Sequence, residues 1–426
     1  MRSEVTDPTA VLPLHAGGFR HLLKRRTLAL LAFALPFGHL AVTVAMLLWV
    51  LSELMTPDRS RWIRTYRWWF LLPVLYFLLH LIGLTWSQNL RFGLFDIEVK
   101  AGLLVIPLCL LAHGRPDPDE RSTIVRWFLI GLILAFVSCL VPAIRTWSAT
   151  GSLHGFFYQD FSRFLHPSYF AWYADTAVLL LWLDPSDRLL KGSLKGGLLL
   201  FLSLLVFLCN SKAGFAGWIF ATLFGAAVGS NRTKSFRSLL FAAAHVLLFV
   251  LLAWKAVPPS ENRVQAMQEN LRADSLSARD PRSTAIRVHI WEAAWSLVRE
   301  RPFSGYGTGD VKDVLLDRYA ERGLAPAVEK RLNAHNQFLQ SWVALGLAGL
   351  LLLVWMLPAA AWRFRSSPLF FGFLLLTGFN FLVESMLETQ AGVTFWALFY
   401  CLFLSFQSPP VTHEDHQPGG RTSPVR

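Results

Sequence analysis

The chain has 426 residues, of which 54% are apolar and only 16% charged, with a mean hydropathy of +0.42. Soluble domains carry about 45–50% apolar and roughly 25% charged residues, so this composition argues against a soluble globular protein. The formal charge of +12 does not point to nucleic acid either. The basic residues flank the apolar segments, where they report topology and attract anionic lipid headgroups.

The first 26 residues end in the basic cluster Arg20, Lys24, Arg25 and Arg26, which favours the cytoplasm. The apolar region 27–55 reads as one long tilted helix or as two short ones meeting at Pro36-Phe37-Gly38. A second basic cluster, Arg59, Arg61, Arg64 and Arg67, follows it. Both clusters prefer the same side, so an even number of crossings, hence two helices, is expected. Ten clearer apolar segments come next, at 68–86, 98–113, 126–146, 167–184, 196–210, 213–230, 238–257, 336–358, 369–385 and 391–407. Segments near 20 residues match the hydrocarbon thickness, and the shorter ones suit tilted, re-entrant or bundle-buried positions. Their apolar character is continuous rather than alternating, which in a bilayer specifies helices.

The remaining basic loop residues divide by side. Arg115, Arg121 and Arg126, then Arg188, Lys191 and Lys195, then Arg232, Lys234 and Arg237, and finally Arg363 and Arg365, all fall on the expected cytoplasmic side. The expected fold is therefore an all-α integral membrane protein with about twelve transmembrane helices and both termini inside. A membrane domain over 27–258 holds the first eight or nine helices, a large, partly helical external segment spans 259–335, and membrane helices resume over 336–407. The polar, Pro/Gly-rich stretch 408–426 reads as a disordered cytoplasmic tail. No cleavable signal is expected, since the first apolar run leads directly into the membrane domain. Cys109, Cys139, Cys209 and Cys401 lie in or at the ends of apolar segments, with neither zinc-site nor disulfide-framework spacing, and no metal or cofactor is expected.

A loop as long as 259–335 is commonly functional or contains its own secondary structure. Over Ser283–Arg299, Ile286, Ile290, Trp291, Ala294, Leu297 and Val298 recur at helical intervals, an amphipathic pattern suited to the membrane surface. Pro302 ends it, and Gly305-Tyr306-Gly307-Thr308-Gly309 forms a tight turn. These glycines do not have dinucleotide-fingerprint spacing; a structural turn is the favoured reading, with backbone contact to a phosphate or sugar as the alternative.

His335-Asn336 stands where the segment enters the next apolar helix. Asn336 suits a helix cap, and Gly346 with Gly349 permits close approach of a neighbouring helix. Neither role calls for an imidazole, which can transfer protons at a water-accessible interface; an ordinary interfacial polar residue is the competing reading of His335. Lys212, between two apolar spans, reads either as a snorkelling lysine or as a cation reaching a lipid-linked phosphate. Arg287 offers a guanidinium suited to bidentate phosphate contact. The topology puts all three on the outer face, as an anion-binding and proton-transfer site. Glu384, Glu388, Asn336 and Tyr306 are candidates for supporting or acceptor contacts.

These motifs resemble the O-antigen ligase and polysaccharide polymerase superfamily. His335-Asn336, nine intervening residues and then Gly346-Leu347-Ala348-Gly349 looks like the ligase pattern of His, a polar residue, a nine-residue spacer and paired glycines. Arg287-Val288-His289-Ile290-Trp291 is similar to the family's Arg-to-Trp segment, and Pro302 through Gly309 to its following turn. His166-Pro167-Ser168-Tyr169-Phe170 is similar to a further recurring segment. The resemblance covers most of 27–407. It implies a metal-independent, inverting transferase on a GT-C-like membrane scaffold in the bacterial inner membrane, with a periplasmic active site. The donor would be a glycan on undecaprenyl diphosphate and the acceptor lipid A-core saccharide in a ligase, or a second carrier-linked glycan in a polymerase. By position, His335 would orient or deprotonate the acceptor hydroxyl and Arg287 would bind the diphosphate. Lys212 falls where the family more often has arginine, keeping the charge but losing the rigid five-donor fork.

The polymerase is the nearest competing reading, since donor chemistry and scaffold are shared. A secondary transporter fits the many spans, but inverted repeats are not evident. A non-catalytic glycan scaffold is a smaller alternative.

Overall fold

The computed structural model describes residues 16–55, 63–183, 192–234, 236–256 and 284–407. The expected disordered tail 408–426, the start of the N-terminal segment, the first part of the external segment and the basic residues Arg59, Arg61, Arg188 and Lys191 lie outside the described residues. Among the described residues the secondary structure is helical, with no strand. By length and composition, helices over Trp68–Trp86, Pro118–Thr150, Lys212–Asn231 and Gln337–Arg363 can cross a bilayer. Shorter apolar helices cover His39–Leu54, Ser193–Cys209, Arg237–Leu252, Pro368–Val383 and Gln390–Ser405. Leu40, Leu47, Leu51, Leu81, Leu240, Leu247 and Leu251 are exposed on the outside of this assembly. Apolar surface of that extent needs lipid rather than water, and the chain is a membrane protein.

The region 27–55 resolves into two helices, α1 (Ala16–Ala34) and α2 (His39–Leu54). Pro36 sits in a single 3-10 turn between them, and Gly38, with φ 87°, makes the reversal that a side chain would resist. The pair is an antiparallel hairpin, because Thr27 near the start of α1 meets Ser52 near the end of α2, at 2.8 Å between hydroxyls. Lys24 departs from its expected role as a solvated flank. It is buried and paired to Glu53 at 3.1 Å, and Glu53 in turn contacts His113. A lysine taken out of water must find an opposite charge, so Lys24 fastens the hairpin to the bundle as well as marking its side.

Helix α3 (Ile63–Gly83) leads to α4 (Leu90–Lys100), α5 (Gly102–His113) and the long α6 (Pro118–Thr150). The expected span 98–113 thus begins inside a separate helix, α4, whose Asp96 and Lys100 are buried. At 1.5 Å per residue α6 extends about 50 Å, longer than the hydrocarbon core. Next come α7 (Pro167–Leu183), α8 (Gly192–Cys209), α9 (Lys212–Thr233) and α10 (Arg237–Ala256). Helices α11 (Thr284–Glu300) and α12 (Val311–Glu321) follow in the hydrophilic segment, and α13 (Gln337–Val354), α14 (Pro368–Val383) and α15 (Gln390–Ser405) complete the bundle. Nearly all of α7 and α15 is buried. Helices buried on every side belong inside a bundle, and here α7 packs against α8, α9 and α14, and α15 against α3, α5 and α14.

The amphipathic reading of 283–299 corresponds to α11, with Ile286, Ile290, Ala293, Ala294, Leu297 and Val298 buried. This face packs against α13.

Candidate functional site

The site forms where α11, the entry to α13 and the exit from α14 meet. Glu384 directly follows the last residue of α14, and its main-chain NH still donates to Asn380. It heads a short connector, Glu384–Thr389, leading to α15. His335 lies two residues before α13 with φ 44°, in the left-handed region that few non-glycine residues occupy. Its NH donates to Asn333 Oδ1 at 3.0 Å, and Trp291 Nε1 donates to its carbonyl at 3.3 Å. Asn336 caps α13, its Oδ1 accepting from the Leu339 NH at 3.0 Å, while its Nδ2 donates to the Leu382 carbonyl. The Asn336 NH donates to Ser385 Oγ at 3.2 Å. The His335 turn and the end of α14 are therefore bound by main chain and side chain together.

In that frame His335 Nδ1 lies 2.8 Å from Glu384 Oε1. Arg287, one turn before Trp291 on α11, reaches the other carboxylate oxygen at 3.5 Å and donates to the Val383 carbonyl at 2.9 Å. Glu384 is buried, whereas the His335 and Arg287 side chains keep 16% and 32% of their surface exposed. A substrate can thus reach the two bases but not the acid between them. Burial pushes the Glu384 carboxyl up, but His335, then Arg287 and His166, outweigh it and hold the group down at about 2. It is a carboxylate at neutral pH. A carboxylate on Nδ1 fixes the imidazole ring and leaves Nε2 as the nitrogen that can take a proton from a hydroxyl.

The other expected site residues distribute differently. Lys212 opens α9, and the preceding Ser211 Oγ caps that helix and lies 3.3 Å from Ser168 Oγ. Ser168 follows His166 by two residues, so the Lys212 end of α9 and the charge acting on Glu384 belong to adjoining turns. Tyr306 donates its hydroxyl to Glu300 at 2.7 Å, and Arg301 lies 4.7 Å from its ring centroid. None of these contacts is with His335 or Glu384. Burial and the Glu300 charge push the Tyr306 hydroxyl up to about 12. Glu388 turns inward to Lys100, Gln337 and Gln340.

Gly346 and the glycine turn prove to be parts of one joint. Inside α13, Gly346 has φ 64° and ψ −158°, which breaks the helix. The stretch after α11 fills the break: Tyr306 and Gly307 donate to the carbonyls of Val343 and Ala344 at 2.9 and 2.8 Å, and Leu347 donates to that of Pro302 at 2.9 Å. A Cβ on Gly346 would sit 2.0 Å from the Phe303 carbonyl oxygen. The close approach expected at this glycine is therefore made by a loop, not by a neighbouring helix, and Gly349 faces its own helix at Leu345 and Ser341. The loop supplies the hydrogen bonds that the broken helix lacks, locking α11, which carries Arg287, to α13, which follows His335.

Sequence reading missed His166 as part of the site, although its segment stood out, and it missed the inward-facing Asp96 and Lys100. An acid and a lysine four residues apart, running directly into the apolar stretch 101–113, are the signal that was available for the latter.

Residues 197–354 match the family model Wzy_C, O-antigen ligase. The matched stretch takes in Lys212, Arg287, His335 and the Gly346 joint, and bears out the resemblance to the O-antigen ligase superfamily. It stops before Glu384. None of the curated proteins compared with the chain matches it.

Proposed function

We propose that the chain is a glycosyltransferase of the O-antigen ligase type, moving a glycan from undecaprenyl diphosphate onto a hydroxyl of lipid A-core saccharide. The observation that carries this reading is the His335–Glu384 pair at 2.8 Å with Arg287 on the same carboxylate, inside and beside a stretch that matches O-antigen ligase. Glu384 holds the imidazole, and His335 Nε2 takes the proton of the acceptor hydroxyl as its oxygen attacks the anomeric carbon. The bond from that carbon to the diphosphate oxygen breaks, and the electron pair leaves with the diphosphate. Arg287, with Lys212 from the neighbouring turn, stabilises the charge that develops there. The diphosphate already activates the donor, so the reaction needs neither a nucleotide sugar nor a metal. In this reading the chain crosses the bacterial inner membrane twelve times with both termini cytoplasmic, on a GT-C-like scaffold, and the site faces the periplasm. The ligase assignment over polymerase rests on the nine-residue spacing from His335-Asn336 to Gly346.

Reconstitution in proteoliposomes with undecaprenyl-linked glycan and two competing acceptors tests the proposal. Glycan appearing on lipid A-core is the expected product, and growth of the carrier-linked chain would replace the ligase with a polymerase. Solute entry into the vesicles without either product would replace both with a transporter. His335→Ala is expected to keep protein abundance and lose about 10²–10⁴-fold in turnover, the usual worth of a general base.

A further inference from the structure

Behind the His335–Glu384 pair lies a second polar cluster, buried in the bundle and used by no step above. Lys100, fully buried on α4, contacts Asp96 at 2.6 Å and Glu388 at 3.3 Å. His80 lies 3.6 Å from Asp96, and Tyr76 shares a 2.5 Å hydrogen bond with Ser341. The Lys312 charge also acts on Glu388. Charged groups at such depth are costly unless paired, and they mark functional positions more often than packing ones.

The connections of Glu388 show what the cluster holds. Gln337 and Gln340, on the first turns of α13, donate to its two carboxylate oxygens at 3.3 and 3.4 Å. Each glutamine uses its own amide oxygen on the site. Gln340 Oε1 accepts from the Ala334 NH at 3.0 Å, immediately before His335. Gln337 Oε1 accepts from the Leu387 NH at 2.6 Å, inside the connector that Glu384 begins. One carboxylate therefore ties the His335 turn to the Glu384 connector, and Lys100, itself fully buried, supplies the positive charge that balances this mostly enclosed carboxylate.

We propose that Lys100, Glu388, Gln337 and Gln340 form a positioning network that holds Glu384 in register with His335. The network rests on the reading of His335 and Glu384 as the reacting pair. None of its members touches substrate. Removing the Lys100 charge leaves two carboxylates facing a buried space, and the connector must shift to relieve them. The His335–Glu384 contact then opens, while the half-buried Arg287, held on the Val383 carbonyl, still meets the donor.

The test uses the full chain in proteoliposomes and compares Lys100→Met, Lys100→Arg and Glu388→Gln with Glu384→Gln. Lys100→Met and Glu388→Gln are expected to lower kcat by about ten- to a hundredfold, the cost of misplacing a reacting group by about an ångström. The donor KM should stay within about threefold, since Arg287 keeps its shorter bond to the Val383 carbonyl at the end of α14, before the connector that shifts. Lys100→Arg should recover most of the loss. Adding Glu384→Gln to Lys100→Met should cost much less than it costs alone, because both act through one contact. Carbethoxylation of His335 at fixed pH, followed by mass spectrometry, supplies a readout without turnover: its rate should fall in Lys100→Met as in Glu384→Gln and return in Lys100→Arg. If the wild-type chain transfers no glycan, the functional reading fails, and the carbethoxylation series still decides the network. A loss of folded protein with unchanged kcat per folded molecule and unchanged His335 reactivity overturns the proposal in favour of a scaffold role. Should Lys100→Met not fold, Glu388→Gln decides, since it leaves Lys100 paired to Asp96.

Discussion

Replacing Gly346 by alanine probes the joint on which the site is built. Two costs follow from its geometry. At φ 64° and ψ −158° the residue occupies a region almost confined to glycine, and a side chain there costs about 1–3 kcal/mol. The added Cβ would also stand 2.0 Å from the Phe303 carbonyl oxygen and 2.3 Å from its carbon. Both are main-chain atoms with no rotamer to yield, and overpacking of this kind costs about 1–3 kcal/mol more. Gly346→Ala is therefore expected to destabilise by about 2–6 kcal/mol in total, a large share of a typical folding free energy. Relief requires the 302–305 loop to lift from α13, which moves Arg287 relative to His335, so turnover should fall together with stability. Gly378→Ala is the control: its Cβ would meet nothing within 4 Å, in the middle of α14. Thermal unfolding in detergent and transfer in proteoliposomes would be measured for both. Equal melting and equal turnover for the two variants would refute the loop-in-helix account.

The Glu384 carboxyl, held at about 2 against an ordinary value of 4.5, links stability to pH. A depressed carboxyl contributes its full stability above the ordinary value and loses it as pH falls toward about 2, here about 3 kcal/mol in all. Wild type should thus exceed Glu384→Gln in stability at pH 6 and lose most of that lead by pH 3; a lead independent of pH would contradict the linkage. Arg287→Lys keeps the charge but not the paired donors that span Val383 and Glu384. Weaker donor handling is expected, read as a rise in donor KM, and unaltered KM and turnover would count against diphosphate recognition. Cysteines introduced at exposed positions of 284–335 should react with an impermeant thiol reagent from the periplasmic side, and labelling from the cytoplasm alone would reverse the proposed orientation.

Much of the architecture could be read locally. Pro36-Phe37-Gly38 marked the break between α1 and α2, because proline and a positive-φ glycine punctuate a helix wherever they occur. The spacing of Ile286, Ile290, Leu297 and Val298 gave the buried face of α11, since burial of one helix face leaves a period in the chain. Arg287 and His335 stood out as charged and titratable groups beside a family motif. Lys24 misled, because a basic residue flanking an apolar run has the same appearance whether it faces water or Glu53. Glu384 and Glu388 looked alike, two carboxylates four residues apart after a helix, yet one faces His335 and the other Lys100.

The sequence by itself determined that this is a helical membrane protein, which segments are apolar enough to lie in lipid, and which residues resemble the O-antigen ligase motifs. Those properties are set by composition and short spacing, and the bilayer leaves the backbone few alternatives. Only the tertiary structure decided that Glu384 is the partner of His335, that the glycine turn completes a broken helix, and that Lys100 balances Glu388. Each joins residues far apart in the chain: Glu384 is 49 positions from His335. Such pairings are chosen by how the helices pack and by the need to match every buried charge and hydrogen-bonding group.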